Sequence, residues 1–257
     1  MMDSLMSYFD VFLLVFARMG GMILANPLLS RKNVPVRVRI GLVLTLSLLL
    51  APVLDGQAIA GYNAVEMMMA LFKEVALGVC LGLVFQIFYY MIFVAGDVMD
   101  TVFGLSMAKV FDPVSGTQVS VMGQFLQIVF VLYFFATGSH LIMIKIFAYS
   151  FEMIPPGAYA LLYNEISSFL LTLFNSAFLL MLKMSLPFII AEFIVEAAMG
   201  ILMKLIPQIH VFVINMQCKI IVGLLLVLLF AQPLGNFIEN YIGVILENMQ
   251  KLLTIAA

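Results

Sequence analysis

Few side chains in this chain can move a proton or hold a cation, so their spacing matters more than their number. Glu192 and Glu196 stand at i,i+4, one turn apart on one face of a helix. Two carboxylates placed so can serve proton or cation transfer when buried together, because like charges held close resist double ionisation. The alternative is that they sit at the wet mouth of a hairpin, or pair with Lys183, Lys204 or a base from a partner. His140 titrates near neutrality and can carry a proton, or else it is hydrogen-bonded at a helix contact. Asp10 and Arg18 also share one helical face, which either meets protein or water or lets Arg18 snorkel to an interface.

Other chemistry is missing. Cys80 and Cys218 lie in apolar segments without metal-ligand spacing, which suits reduced packing residues over a disulfide. No phosphate-cradling glycine loop, zinc constellation or nucleophile elbow occurs. Two histidines and two unpaired cysteines leave little material for acid-base or covalent catalysis. An enzyme is therefore not expected, and neither is a cofactor or a bound metal. Met67, Met68 and Met69 cannot share one helical face and read as adaptable packing.

The elements that carry these residues are apolar. Of 257 residues 65% are hydrophobic and 10% charged, against about 25% charged in ordinary soluble domains. Folded surfaces must be wetted, so this composition predicts an all-α integral membrane protein bound to a lipid bilayer. The net charge of −2 and the absence of a basic run argue against a nucleic-acid partner.

Leu5–Leu29 is long enough to span, and its acids stand where a secretory signal would carry bases, so it is expected to be retained. Ser30–Gly41 carries Arg31, Lys32, Arg37 and Arg39 around Pro35 and reads as a cytoplasmic loop. Leu42–Leu54 is short for a span and reads equally as half of a buried helical hairpin. A helix resumes at Ala64, and Gly78 and Gly82 in it form a G-x-x-x-G spacing that lets a neighbouring backbone approach. Val121–Tyr149 reads as one long apolar helix, stopped by Pro155-Pro156-Gly157. Ile166–Lys204 is expected to kink or divide at Pro187, and Leu205–Gln208, with Pro207, separates it from Ile209–Phe230. Gln232–Gly235 is expected to end that helix. The amphipathic tail Asn236–Ala257 then reads as a surface helix lying on a partner or on the interface.

One stretch, Gly96–Ser120, is too charged for a bilayer and too apolar for a solvated linker. It holds Asp97, Asp100, Asp112 and Lys109 together with Val102, Phe103, Leu105, Met107, Val110 and Phe111. Those side chains are expected to pack inside an assembly, with the two first acids belonging to the end of the preceding helix.

Three passages in order carry a family resemblance: AGDVMDTVFGLSMAKVFDPVSGTQVSVMGQF from Ala95, ATGSHLIMIKIFAYSFEMIPPG from Ala136, and KMSLPFIIAEFIVEAAMGILMKLIPQIHVF from Lys183. Together they resemble the FliR family, export-gate proteins of bacterial flagellar type III secretion, with the SpaR-like and YscT-like injectisome relatives. The Asp112-Pro113 turn and the Ile206–Phe212 passage are closer to the flagellar branch, although His210 stands where asparagine would be expected.

The resemblance implies helical hairpins that behave as a fusion of FliP-like and FliQ-like units. It implies FliP-like helices over 1–95, a plug loop over 96–120, a helix and turn over 121–165, and a FliQ-like hairpin with its amphipathic tail over 166–257. It also implies assembly of a single copy with several copies of FliP and FliQ, beside an FlhB-like switch subunit and other export proteins, in the bacterial inner membrane at the flagellar basal body. Unfolded export substrates would pass through the pore. The plug it implies is about Gly104 to Ser120. Phe103, Leu105, Met107, Val110 and Phe111 would seal it, and Gly104, Gly116 and Asp112-Pro113 would set its path. Gly78, Gly82, Pro187, Glu192, Glu196 and Pro207 would serve helix packing or partner contact. An injectisome homologue and a proton-coupled small-solute transporter remain the alternative readings.

Overall fold

A computed structural model of the chain describes residues 2–31, 34–54, 59, 62–106, 120–157, 163–206 and 211–256, with side chains described from residues 8, 165 and 213 onward in their segments. Among these residues the regular elements are all helical. They are α1 (Met2–Ala25), α2 (Val36–Leu50), a 3-10 turn (Ala51–Val53), α3 (Ala64–Val102), α4 (Val121–Ala136), α5 (Ser139–Met153), α6 (Tyr163–Leu205), α7 (Val211–Leu229) and α8 (Ala231–Ala256).

Among the described residues, four helices are long and apolar enough to cross a membrane, and up to six spans result if the bent pairs α4–α5 and α7–α8 each count as one. These findings bear out an all-α membrane protein. At 39 and 43 residues, α3 and α6 measure about 58 and 65 Å at the helical rise, roughly twice the 30 Å of a bilayer core. Such helices must project beyond the hydrocarbon or be sheltered by other protein.

Several boundaries differ from those read in the sequence, each for a local reason. Val36–Gly41 is the first part of α2 rather than loop, because Pro35, at φ −56, already has a helical φ just before it. The Arg39 guanidinium folds back to donate to the carbonyls of Arg31 at 2.7 Å and Val34 at 2.9 Å. Val121–Tyr149 is two helices, since the chain turns at Thr137-Gly138 with Gly138 left-handed at φ 71. Pro187 lies inside α6 without dividing it. The break after α7 falls at Phe230, so Gln232 and Pro233 belong to the first turn of α8, where the missing proline N–H would have had no partner anyway.

The chain forms two compact units. One comprises Met1–Phe88, Gly138–Phe174 and Ile242–Ala257, the other Tyr89–Thr137 and Asn175–Tyr241. In the first unit the apolar face of the tail is covered by the chain itself, with Ile242, Ile245, Met249, Leu252 and Leu253 buried. Glu247 and Lys251 pair at 2.8 Å on the exposed side. The tail is therefore a core helix, not the surface helix its amphipathic pattern suggested.

The G-x-x-x-G spacing works as expected. In the first unit a Cβ on Gly78 would collide with the Arg18 carbonyl oxygen and reach Met22 N at 3.0 Å, and one on Gly82 would strike Ala25. Bare backbone on α3 thus lets α1 settle directly onto it. The approach brings Arg18 against Glu74, both fully buried. Arg18 Nε and Nη2 donate to the Glu74 carboxylate, the latter at 3.1 Å. Arg18 Nη1 donates to the Ser150 carbonyl at 2.8 Å, and the Phe151 ring lies 4.3 Å from the guanidinium carbon. Glu74 Oε1 also accepts from the Gly157 amide at 2.9 Å. Arg18 thus meets protein and does not snorkel. Asp10, half-buried, is not part of this cluster.

Two outcomes test this packing. Gly78→Ala is expected to cost about 1–3 kcal/mol through overpacking against backbone. Gly20→Ala, where nothing lies within 4 Å, should leave stability within about 0.5 kcal/mol. Denaturation in mixed micelles compares them. Removing one partner of the ion pair, as in Glu74→Ala, should cost about 3–5 kcal/mol. The double variant Arg18→Met, Glu74→Met should recover much of that loss in the same assay.

Candidate functional site

The second unit holds both ends of the central stretch. Asp100 is fully buried on the last turn of α3, three residues before Phe103. Its carboxylate accepts from the Ser120 hydroxyl at 2.7 Å, the Val121 amide at 2.7 Å and the Met122 amide at 3.1 Å. Ser120 Oγ in turn accepts from the Gly123 amide at 2.8 Å, the ordinary arrangement of a serine N-cap. A negative group at a helix start also meets the positive end of the helix dipole. Gly96 and Gly123 touch where α3 and α4 cross, with no room for a Cβ on Gly96. One carboxylate therefore clamps the residue that leaves α3 to the residue that begins α4.

Phe103, first of the expected sealing residues, is 1% exposed. Its ring stands 6.0 Å from Phe188 at 70°, and Phe188 lies 5.7 Å from Phe230. A Cβ on Gly223 of α7 would meet the Phe103 ring at 2.6 Å, so glycine is what admits the phenylalanine there. Gly104 follows in the left-handed region at φ 75, a conformation that costs other residues energy. Leu105 and Ser106 are half-buried, and Ser106 Oγ donates to Thr101 Oγ1 at 3.2 Å. Met107, Val110, Phe111, Asp112, Pro113, Gly116 and Pro207 lie outside the described residues.

Along α6 the buried stripe Met184, Phe188, Glu192, Met199 faces inward at helical spacing. Glu196 is met by Lys219 of α7 at 3.1 Å, a base not among those weighed for it, Lys183, Lys204 or one from a partner. Glu192 is buried, and among the described residues neither carboxyl oxygen has a hydrogen-bond partner. Pro187 and Phe188 line a small cleft of about 180 Å³ with Phe230 and Leu234. His140 falls in the other unit from Glu192 and Glu196. Cys80 and Cys218 are free, and among the described residues no group of three or more His, Cys, Asp or Glu side chains can hold a metal ion.

Two features escaped the sequence reading. Asp100 was visible only as a helix-end acid, although serine before an apolar run is an N-cap signal that pointed to Ser120. Lys219 sits in an apolar run and pairs with an acid 23 positions back on α6, a pairing that periodicity cannot place. Asp100→Ala should strand three donors at the start of α4, with a loss of about 1–3 kcal/mol. Limited proteolysis should then cut between residues 103 and 120 faster than in the parent, whereas Asp100→Asn should fall between the two.

The family described as "Bacterial export proteins, family 1" matches residues 9–244. The flagellar biosynthetic protein FliR of Bacillus subtilis (strain 168) is 30% identical over 99% of this chain and 98% of its own length. That of Escherichia coli (strain K12) is 26% identical over 93% and 90%. The Yop proteins translocation protein T of Yersinia pestis is 24% identical over 89% and 88%. The matches run through the glycine-packed α1–α3 contact, the Asp100 clamp and the α6–α7 hairpin alike, and the chain belongs to the bacterial export proteins, family 1, the family of the FliR and YscT-like proteins.

Proposed function

We propose that the chain is a non-catalytic channel subunit of the flagellar type III protein export gate in the bacterial inner membrane. It assembles there as a fusion of FliP-like and FliQ-like hairpins with FliP and FliQ, beside an FlhB-like switch subunit, at the base of the flagellum. The observation that carries the reading is end-to-end similarity to proteins named for flagellar biosynthesis, over 98% of the length of the Bacillus subtilis relative. Uncovered apolar faces support assembly: Val38, Leu48 and Leu49 on α2, and Ile221, Leu225 and Leu228 on α7, are exposed in the isolated chain. Helices far longer than a bilayer is thick also suit a structure raised out of the membrane by neighbours.

In this reading the stretch from Gly104 to Ser120 plugs the closed channel. Phe103 roots it in the chain's own aromatic core and Asp100 holds its far end. Leu105, Met107, Val110 and Phe111 then seal by apolar contact, with Asp112-Pro113 and Gly116 shaping the turn. A narrow apolar constriction resists ions because conduction requires wetting it. Unfolded substrates open the gate by displacing the segment.

Deleting residues 104–120 in cells carrying an assembled gate should raise ion leakage across the inner membrane, measured as membrane depolarisation. Unchanged leakage with the complex intact would overturn the plug assignment. The similarity to the Yersinia pestis translocation protein favours an injectisome role as the second reading. Complementation separates the two: a flagellar subunit restores motility to a strain lacking its own FliR and leaves injectisome secretion unrestored.

A further inference from the structure

Buried acids elsewhere in the described chain are fully met. Glu74 has Arg18 and the Gly157 amide, and Asp100 has a hydroxyl and two amides. Glu192 is different, being 1% exposed with neither carboxyl oxygen hydrogen-bonded among the described residues. The chain itself covers it, so a neighbouring subunit cannot reach in to supply a donor without parting these helices.

The charged groups acting on Glu192 are Lys219 of α7 and Glu196, one turn along α6. Those two are bonded to each other at 3.1 Å, so the lysine is already committed to the more exposed acid. On the last turns of α3, which lead to Phe103, the acids are Asp97 and Asp100, and Asp100 is occupied by the start of α4. The α4 helix carries no charged side chain, and α8 brings none before Glu239, which is exposed. Lys183, farther back on α6, is exposed. The same hairpin buries Asn215 Oδ1 on α7, again without a donor. At Glu192 two acceptor oxygens face no donor among the described residues, and a bound proton relieves that imbalance by turning one acceptor into a donor.

We propose that Glu192 is a proton-binding site, held as a neutral carboxylic acid in the folded chain, whose proton exchanges with water and whose loss loosens the α6–α7 hairpin around Phe103. A bare carboxylate that the chain covers, without donors or a committed counter-ion, is costly to keep ionised. A hard metal cation is a poor occupant, because it asks for six or more oxygens where one carboxyl group is present. The link to Phe103 is geometric. Phe188 precedes Glu192 by one turn on the same buried stripe and packs on Phe103, which also fills the space over Gly223. Charge appearing at Glu192 therefore appears beside the aromatic root from which the central stretch departs. The proposal concerns this chain's own hairpin and stands apart from the plug reading.

The test uses the export complex purified through this chain and reconstituted in lipid nanodiscs. Infrared difference spectra between neutral and alkaline pH should show the carbonyl band of a protonated carboxylic acid at neutral pH, shifted in D2O. Glu192→Gln should abolish that band and Glu196→Gln should keep it. If Glu192→Gln does not assemble, Glu192→Met, of similar volume and uncharged, takes its place. Loss of carboxylate bands alone on substitution shows an ionised Glu192 and overturns the proposal, as does a band discharged by replacing potassium with sodium at constant pH. Amide exchange across 188–199, corrected for intrinsic rates, should rise several-fold with pH in the parent and not in Glu192→Gln. An equal rise in both overturns the coupling to the hairpin.

Discussion

A charge among apolar helices has no water to face, so each ionised side chain must be met by protein, and the placement of Arg18, Glu74 and Asp100 follows from that constraint. Arg18 spends its donors on one carboxylate and one backbone carbonyl, and its flat face lies on Phe151. Glu74 extends the same cluster to the Gly157 amide. Three separate stretches of chain are thereby held at one point, because leaving any of these groups unmet would cost several kcal/mol. The glycines of α3 are the steric condition for this cluster, since only bare backbone lets α1 come close enough.

Asp100 applies the same constraint to a different end. A helix begins with amides that have no partner within the helix, and in apolar surroundings water cannot serve them. By answering two of those amides and the capping hydroxyl, Asp100 fixes where α4 starts. The central stretch therefore departs from and returns to a rigid base: aromatic at Phe103, electrostatic at Ser120.

Membrane character, the helical class and the family were all legible from residue types and their order. Composition excluded a wetted surface, and the Gly78–Gly82 spacing foretold a close helix contact that the structure contains. Boundaries were less legible wherever a signal had two physical meanings. Proline can stop a helix or start one, and Pro35 and Pro233 start helices whereas Pro187 is absorbed within one. An amphipathic pattern shows that a face is covered without saying by what. The tail from Ile242 onward is covered by its own chain, not by a partner or an interface. For Glu196 pairing with a base was one of the open readings, and the base it meets is Lys219 on α7, not one along the same helix.

The sequence by itself determined what each segment had to avoid: water for the apolar runs, solitude for the charges, bulk at Gly78 and Gly82. Those requirements are local, because they depend on transfer energies and on helical periodicity alone. Only the tertiary structure decided which groups satisfy one another. Arg18 finds Glu74 across 56 positions and Asp100 finds Ser120 across 20, whereas the Glu192 carboxyl is closed in without a hydrogen-bond partner among the described residues. Pairings at such separations are set by how whole helices pack, and packing is a property of the assembled surfaces, not of any one stretch.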